Sequence, residues 1–165
     1  MLAGAPALTI GLADYTDPRD AADVVALLDA YARDPMGGGE PLAEAVKARL
    51  AGDLAANPQA FSLLARLDGE AVGLANCFMG YSTFAAAPLV NIHDLAVLPG
   101  HRGAGIGKAL LAAVEAEALK RGACKVTLEV LSGNPARHLY AACGYGDYQL
   151  DPATGHALFW QKRLT

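Results

Sequence analysis

An α/β fold is predicted by three features of the sequence. A strand-like run from Leu89 to Val97 passes through the corner Pro99-Gly100-His101 and the glycine-rich stretch Arg102-Gly103-Ala104-Gly105-Ile106-Gly107 straight into a long helical run. Asp68-Gly69, a dipeptide suited to tight hairpin turns, separates two β-rich runs, Phe61 to Leu67 and Ala71 to Tyr81. Two Asx-Pro pairs, Asp17-Pro18 and Asn134-Pro135, each offer a capping side chain followed by proline at the first helical position.

Taken in order, residues 7 to 13 read as a first strand. The helix begun by Asp17-Pro18 carries Ala22, Val25, Leu28 and Tyr31 at a spacing of about 3.6, which predicts one core face. It ends near Arg33, because Pro35 disfavours helical geometry in the residue before it. Asp34 to Pro41 contains three consecutive glycines and reads as a mobile loop. A second helix spans Leu42 to Ala55, with Leu42, Val46 and Leu50 on one side, until Asn57-Pro58 breaks it. The hairpin about Asp68-Gly69 follows, then the strand Leu89 to Val97. In a regular strand Asn91, His93 and Leu95 share one face, and Ile92, Asp94 and Ala96 the other.

The helix after the glycine-rich elbow shows Ile106, Leu110, Ala113, Val114 and Leu119 as its buried stripe. Lys108, Glu115, Glu117 and Lys120 fall on its wet side, and Gly122 is the stop. A strand from Lys125 to Leu131 comes next, then a short helix from Asn134-Pro135 through Ala142, closed by Gly144. Tyr145 to Leu150 and Ala157 to Arg163, about the turn Asp151 to Gly155, read as a last hairpin. Residues 1 to 165 read as one domain, without internal repeats.

Composition narrows the function. The chain has 165 residues, of which 53% are hydrophobic, and a net charge of −4. That is a globular composition, and its mild acidity argues against nucleic acid as a partner. Three cysteines without CxxC spacing signal neither a disulfide framework nor a zinc site, and no metal is expected. No apolar run reaches the roughly 18 residues of a membrane helix, and the apolar first ten residues carry no basic region. No membrane partner is expected, and a cytoplasmic setting is.

The elbow is where backbone amides converge at a helix start, an arrangement that attracts phosphate. It is not a P-loop, since no Gly-Lys-Ser/Thr closes it, and it lacks the intervals of a dinucleotide fingerprint. Arg-x-x-Gly-x-Gly, filled by Arg102, Gly105 and Gly107, is the better description. With the strand before it and the helix after it, and with Asn134 to Tyr145 one strand later, this stretch resembles the acetyl-CoA-binding motif of the GNAT N-acetyltransferase superfamily.

The resemblance implies a mixed sheet of about six to seven strands with splayed central strands, flanked by about four helices. It also implies acetyl-CoA as donor, with CoA as product. The pyrophosphate would meet Gly103, Ala104, Gly105, Ile106 and Gly107, with Arg102 adding charge or shaping the elbow, and Lys108 nearby. The pantetheine arm would pair with the backbone of Leu95, Ala96 and Val97. Tyr140 would be the general acid, since a phenol of pKa about 10 lies close to a thiol's about 8.5. Asn134 would touch pantetheine in relatives, but here it stands one residue closer to Tyr140 than usual, which weakens that assignment.

For the base, many relatives use a Glu where this chain has His93 and Asp94. Imidazole changes charge around neutral pH and suits the task. One of the two is expected to face the site unless a bulge intervenes, as the family often shows there. The acceptor pocket would draw on Asp34, Met36, Gly37, Gly38, Tyr81 and His93. The function implied is acetyl transfer to a primary amine of a small molecule or peptide by direct attack. The alternatives are a non-catalytic acyl-CoA-binding module and an acetyltransferase for protein N-termini or lysines. Last-strand pairing into a homodimer is common in relatives and is open to this chain.

Overall fold

The computed structural model describes residues 7–164; residues 1–6, the start of the apolar N-terminal stretch, and residue 165 lie outside them. The described chain divides into two units, one reaching Leu128 and one beginning at Glu129. In the first, five strands form one sheet in the order β1 (Leu8–Leu12), β2 (Ala60–Leu67), β3 (Glu70–Ser82), β4 (Ala87–Val97) and β5 (Val126–Leu128). The first four pair antiparallel, and β5 joins β4 in parallel. That is the mixed sheet the resemblance implies, with fewer strands than six to seven among the described residues.

Helices α1 (Pro18–Arg33) and α2 (Glu44–Ala56) connect β1 to β2 and cover one face. Asp17 caps α1 as expected, its carboxylate accepting from the amides of Arg19 and Asp20. The core on this face joins Val24 and Leu27 of α1, Leu54 of α2, Leu64 of β2 and Leu74 of β3. Burying each of these side chains contributes about 1.5–3 kcal/mol. Arg66 clamps the layers together: its two terminal nitrogens reach Asp20 at 2.7 Å and Asp23 at 2.6 Å.

The helix stripes need correction. On α1 the core side is Val24 and Leu27, while Ala22 is exposed and Val25 lines a groove shared with α2. On α2 Val46 is exposed, and Lys47, Leu50, Ala51 and Leu54 turn inward. Lys47 tolerates this because its amine meets Asp29 and Glu44.

Helix α3 (Ile106–Lys120) makes the crossover from β4 to β5. Gly73 of β3 passes beneath it, with space for a Cβ filled by Leu110. Ile106, Leu110, Leu111, Val114 and Ala118 are buried. Leu119, expected inside, is 76% exposed, and Glu117, expected outside, is only 8% exposed. A stripe advancing by four, four and three or four residues reaches 117 and 118 and passes 119 by. The Glu117 carboxylate is compensated by Arg121 at 2.9 Å and Lys120 at 3.4 Å, and Arg121 lies over the Phe61 ring.

The segment Asp34 to Glu40 is not a free loop. Asp34 accepts from the Met36 amide, and the amides of Gly39 and Glu40 both donate to the Ala32 carbonyl. Gly37 is required by close approach, because a Cβ there would lie 1.9 Å from the Tyr31 carbonyl oxygen. Gly38 and Gly39 take positive φ.

In the unit from Glu129, α4 (Ala136–Ala142) is closed by Gly144 at φ 89°. The strand expected to run to Leu131 ends at Leu128. The last hairpin does not form a ladder among the described residues. Asp151 to Gly155 folds into a 3-10 turn, and one amide–carbonyl bond, Ala157 to Tyr148, bridges the two arms. Their apolar side chains stay open, with Phe159 76% and Trp160 83% exposed. Among the described residues no helix is long and apolar enough to cross a membrane.

Candidate active site

The elbow between β4 and α3 owes its glycines to backbone shape. Gly103 and Gly105 sit at φ +80° and +81°, and nothing lies within 4 Å of where a Cβ on either would stand. A side chain would be strained by conformation there, not by crowding. Gly105 caps α3 without a side-chain bond, and the first amide drawn into the helix is that of Ala109, 3.0 Å from the Gly105 carbonyl. The amides of Ile106, Gly107 and Lys108 therefore precede any helical partner, at the positive end of α3. The approach is open, since Gly103, Ala104, Gly105 and Lys108 are exposed. These features fit a phosphate-bearing ligand.

Arg102 is committed to the protein. Its Nε donates to the Val97 carbonyl at 3.0 Å, and Nη2 donates to Asp34 at 2.8 Å. Of the two roles expected for it, these bonds are those of a residue shaping the elbow. Leu95, Ala96 and Val97 pair with β3 on one side. The ladder with β5 covers only Val90 to Ile92, so Leu95 to Val97 have no partner in β5.

The other feature is a cavity of about 310 Å³ on the α1 and α2 side of the sheet. Leu28, Leu42, Leu50, Leu54 and Phe78 give it apolar walls, Tyr31 and Gly37 border it, and Asn76, His93 and Asp94 supply its polar groups. Both His93 and Asp94 reach it because β4 carries one extra residue. Asp94 pairs with Asn76, but the next β3 residue, Cys77, pairs with Ile92, leaving His93 as the bulge. Alternation is broken there, and adjacent side chains border the same space.

His93 is exposed, packs edge-on against Phe78 with ring centroids 5.5 Å apart, and has Nδ1 3.4 Å from Asn91 Oδ1. Asp94 is held from behind by a chain of polar groups through the sheet face. The Ser62 hydroxyl donates to Asn76 Oδ1 at 2.6 Å, and Asn76 Nδ2 donates to Asp94 Oδ2 at 3.0 Å. Tyr15 then gives its own proton to Ser62, 2.7 Å away. Burial pushes the Tyr15 hydroxyl above its ordinary range. Burial raises the Tyr31 hydroxyl too, with the Asp94 and Asp34 carboxylates adding to the effect.

Among the residues expected to hold an acceptor, Gly37 and His93 border this cavity; Asp34, Met36, Gly38 and Tyr81 do not. Asp34 turns to Arg102, and Tyr81 is 61% exposed near the far end of β3. Asn76 escaped the sequence reading, although an Asn inside an otherwise apolar strand run was the signal available. In the unit from Glu129, Tyr140 stands on α4 with its ring edge toward Tyr145 at 6.3 Å. Asn134 uses its carbonyl oxygen on the Ala136 amide at 2.9 Å, which is a cap.

Comparison with known proteins decides the family. The model of the acetyltransferase (GNAT) family matches residues 24–145. The chain belongs to this family. Its mixed α/β sheet is the GNAT fold. Over 87 residues this GNAT protein is 39% identical to streptothricin acetyltransferase of Streptomyces lavendulae, a match covering 52% of the chain and 44% of that protein. A second match, 39% over 82 residues, is to an uncharacterized N-acetyltransferase of Archaeoglobus fulgidus and covers 48% of the chain and 56% of the relative. The chain thus spans about half the length of the curated relatives it matches.

Among solved structures, a ribosomal-protein-alanine N-acetyltransferase from Brucella melitensis superposes with a TM-score of 0.66 at 26% identity, covering 88% of this GNAT chain and 99% of that one. An aminoglycoside N-acetyltransferase crystallised with CoA gives a TM-score of 0.73 at 19% identity, covering 99% of each chain, which is a likeness of fold.

Proposed function

We propose that this protein moves the acetyl group of acetyl-CoA to a primary amine of a small molecule or peptide lodged in the cavity beside His93 and Asp94. The observation that carries the reading is the extra residue in β4. It brings an imidazole and a carboxylate to one cavity, on the strand that leads through Leu95 to Val97 into the amide-rich elbow. When bound, acetyl-CoA would supply an activated thioester carbonyl. The elbow amides of Gly103 to Lys108 would hold its diphosphate, and the backbone of Leu95 to Val97 would align its peptide-like arm.

Asp94, fixed by Asn76, attracts the ammonium form of the acceptor, and His93 takes the proton that must leave before attack. Being exposed, His93 passes that proton to solvent. Tyr140 is proposed as the donor of a proton to the departing sulfur. Residues 1 to 165 act as one catalytic domain in a cytoplasmic setting. The open apolar side chains near Phe159 and Trp160 favour a second copy of the chain as their cover, hence a homodimer.

The test is CoA release from acetyl-CoA over a panel of amines, with wild type, His93→Ala and Tyr140→Phe. Losses of about 100-fold or more in kcat are expected for both variants. Wild-type turnover in Tyr140→Phe removes the phenol from the reaction, and no amine-dependent CoA release removes the proposal.

A further inference from the structure

The charges around the cavity bear on which amines it accepts. Asp94 is the one carboxylate among its lining residues, and among the described residues it makes no ion pair. The nearest rival, Asp34, is neutralised by Arg102 and bordered off by its bond to the Met36 amide. Asp29 faces the separate groove between α1 and α2, paired with Lys47 and Arg33. One negative charge thus faces a cavity walled chiefly by leucines and the Phe78 ring, with Tyr31, Asn76 and His93 as its other polar groups.

We infer that the acceptor is a primary amine with a single positive charge and an apolar body, not a polycation. The inference rests on the amine-acetylating reading above and narrows it. A monocation finds one anion, with its hydrocarbon part against Leu28, Leu42, Leu50 and Phe78. A polycation leaves further charges against apolar surface, where each lacks water and a partner. Asn76 makes the arrangement specific, because its amide nitrogen anchors one carboxylate oxygen and leaves the other for the ligand.

Binding of amines in the absence of acetyl-CoA tests this apart from catalysis. Methylamine, butylamine, hexylamine and 2-phenylethylamine are titrated against kanamycin and spermidine in about 0.15 M salt, followed by ligand-observed NMR. Affinity is expected to rise along the alkyl series by up to about fourfold per methylene, with both polycations weaker than hexylamine. Asp94→Asn is expected to weaken hexylamine at least tenfold, and Leu50→Asn to flatten the chain-length series while methylamine is unchanged. Kanamycin or spermidine binding more tightly than hexylamine, or a flat alkyl series on the wild-type protein, overturns the inference. Separately, acetyl-CoA titration and CoA release test the catalytic reading. Their failure alongside a steep alkyl series would sink that reading and leave the pocket's preference standing.

Discussion

Arg102 and Asp34, distant in sequence, meet through a 2.8 Å bond from guanidinium to carboxylate that ties the elbow before α3 to the turn after α1. Two segments expected to bind different substrates are therefore one mechanical unit. Asp34 is also the cap of its own turn, through the Met36 amide. That amide, and then Arg102, hold its carboxyl below the usual carboxylate range.

A carboxylate whose pKa is lowered on folding adds stability above its unfolded value, and loses it as pH falls through the lowered one. Asp34→Asn should therefore melt below wild type at neutral pH, with the gap closing as pH drops below about 4. Arg102 is half exposed, so the gap at neutral pH should stay within about 1 kcal/mol. Thermal melts across pH decide it, and a gap that persists unchanged at low pH would show that the pair is not its source.

Gly37→Ala should cost more than a substitution at its neighbour Gly39. At Gly37 the new Cβ would collide with the Tyr31 carbonyl, whereas at Gly39 the space is open and only the positive φ opposes a side chain. Losses of about 3 kcal/mol against about 1–2 kcal/mol are expected from urea unfolding. Equal losses would mean that the turn relaxes away from α1.

Asn76→Ala should strip Ser62 of its acceptor and Asp94 of its donor, in a place where Asn76 is only 4% exposed. About 1–3 kcal/mol of stability should go. On the proposed function, KM for the amine should rise while KM for acetyl-CoA holds. A matched rise in both would indicate general damage to the sheet.

The thiols should separate cleanly. Burial pushes Cys77 up to about 12, so it carries almost no thiolate at pH 8, while Cys124 is exposed. A disulfide reagent should label Cys124 in the native protein and reach Cys77 only after denaturant is added. Early labelling of Cys77 would mean that the sheet opens readily.

What the sequence disclosed was mostly local. Asp17-Pro18, Asp68-Gly69 and Gly105 each act through their own backbone and nearest neighbours, so caps, hairpin and elbow could be read directly. The helix faces were misjudged where long-range partners decide them. Glu117 is inside because Arg121 and Lys120 meet it, and Val46 is outside because Lys47 found two carboxylates. The cavity walls come from α1, α2, β3 and β4 together, and no spacing rule joins those segments. His93 and Asp94 were legible as candidates, but their sharing of one space depended on where β4 slips against β3.

That slip has a consequence for how this chain tolerates change. Asp94 keeps Asn76 as its partner and Ile92 keeps Cys77, so the pairing on either side of residue 93 is already in step without it. Removing that backbone unit would close the ladder into a regular one, with Ile92 and Asp94 still on opposite faces, and would take only the imidazole from the cavity wall. The strand should thus survive shortening by one residue at this point, at the expense of the group it presents.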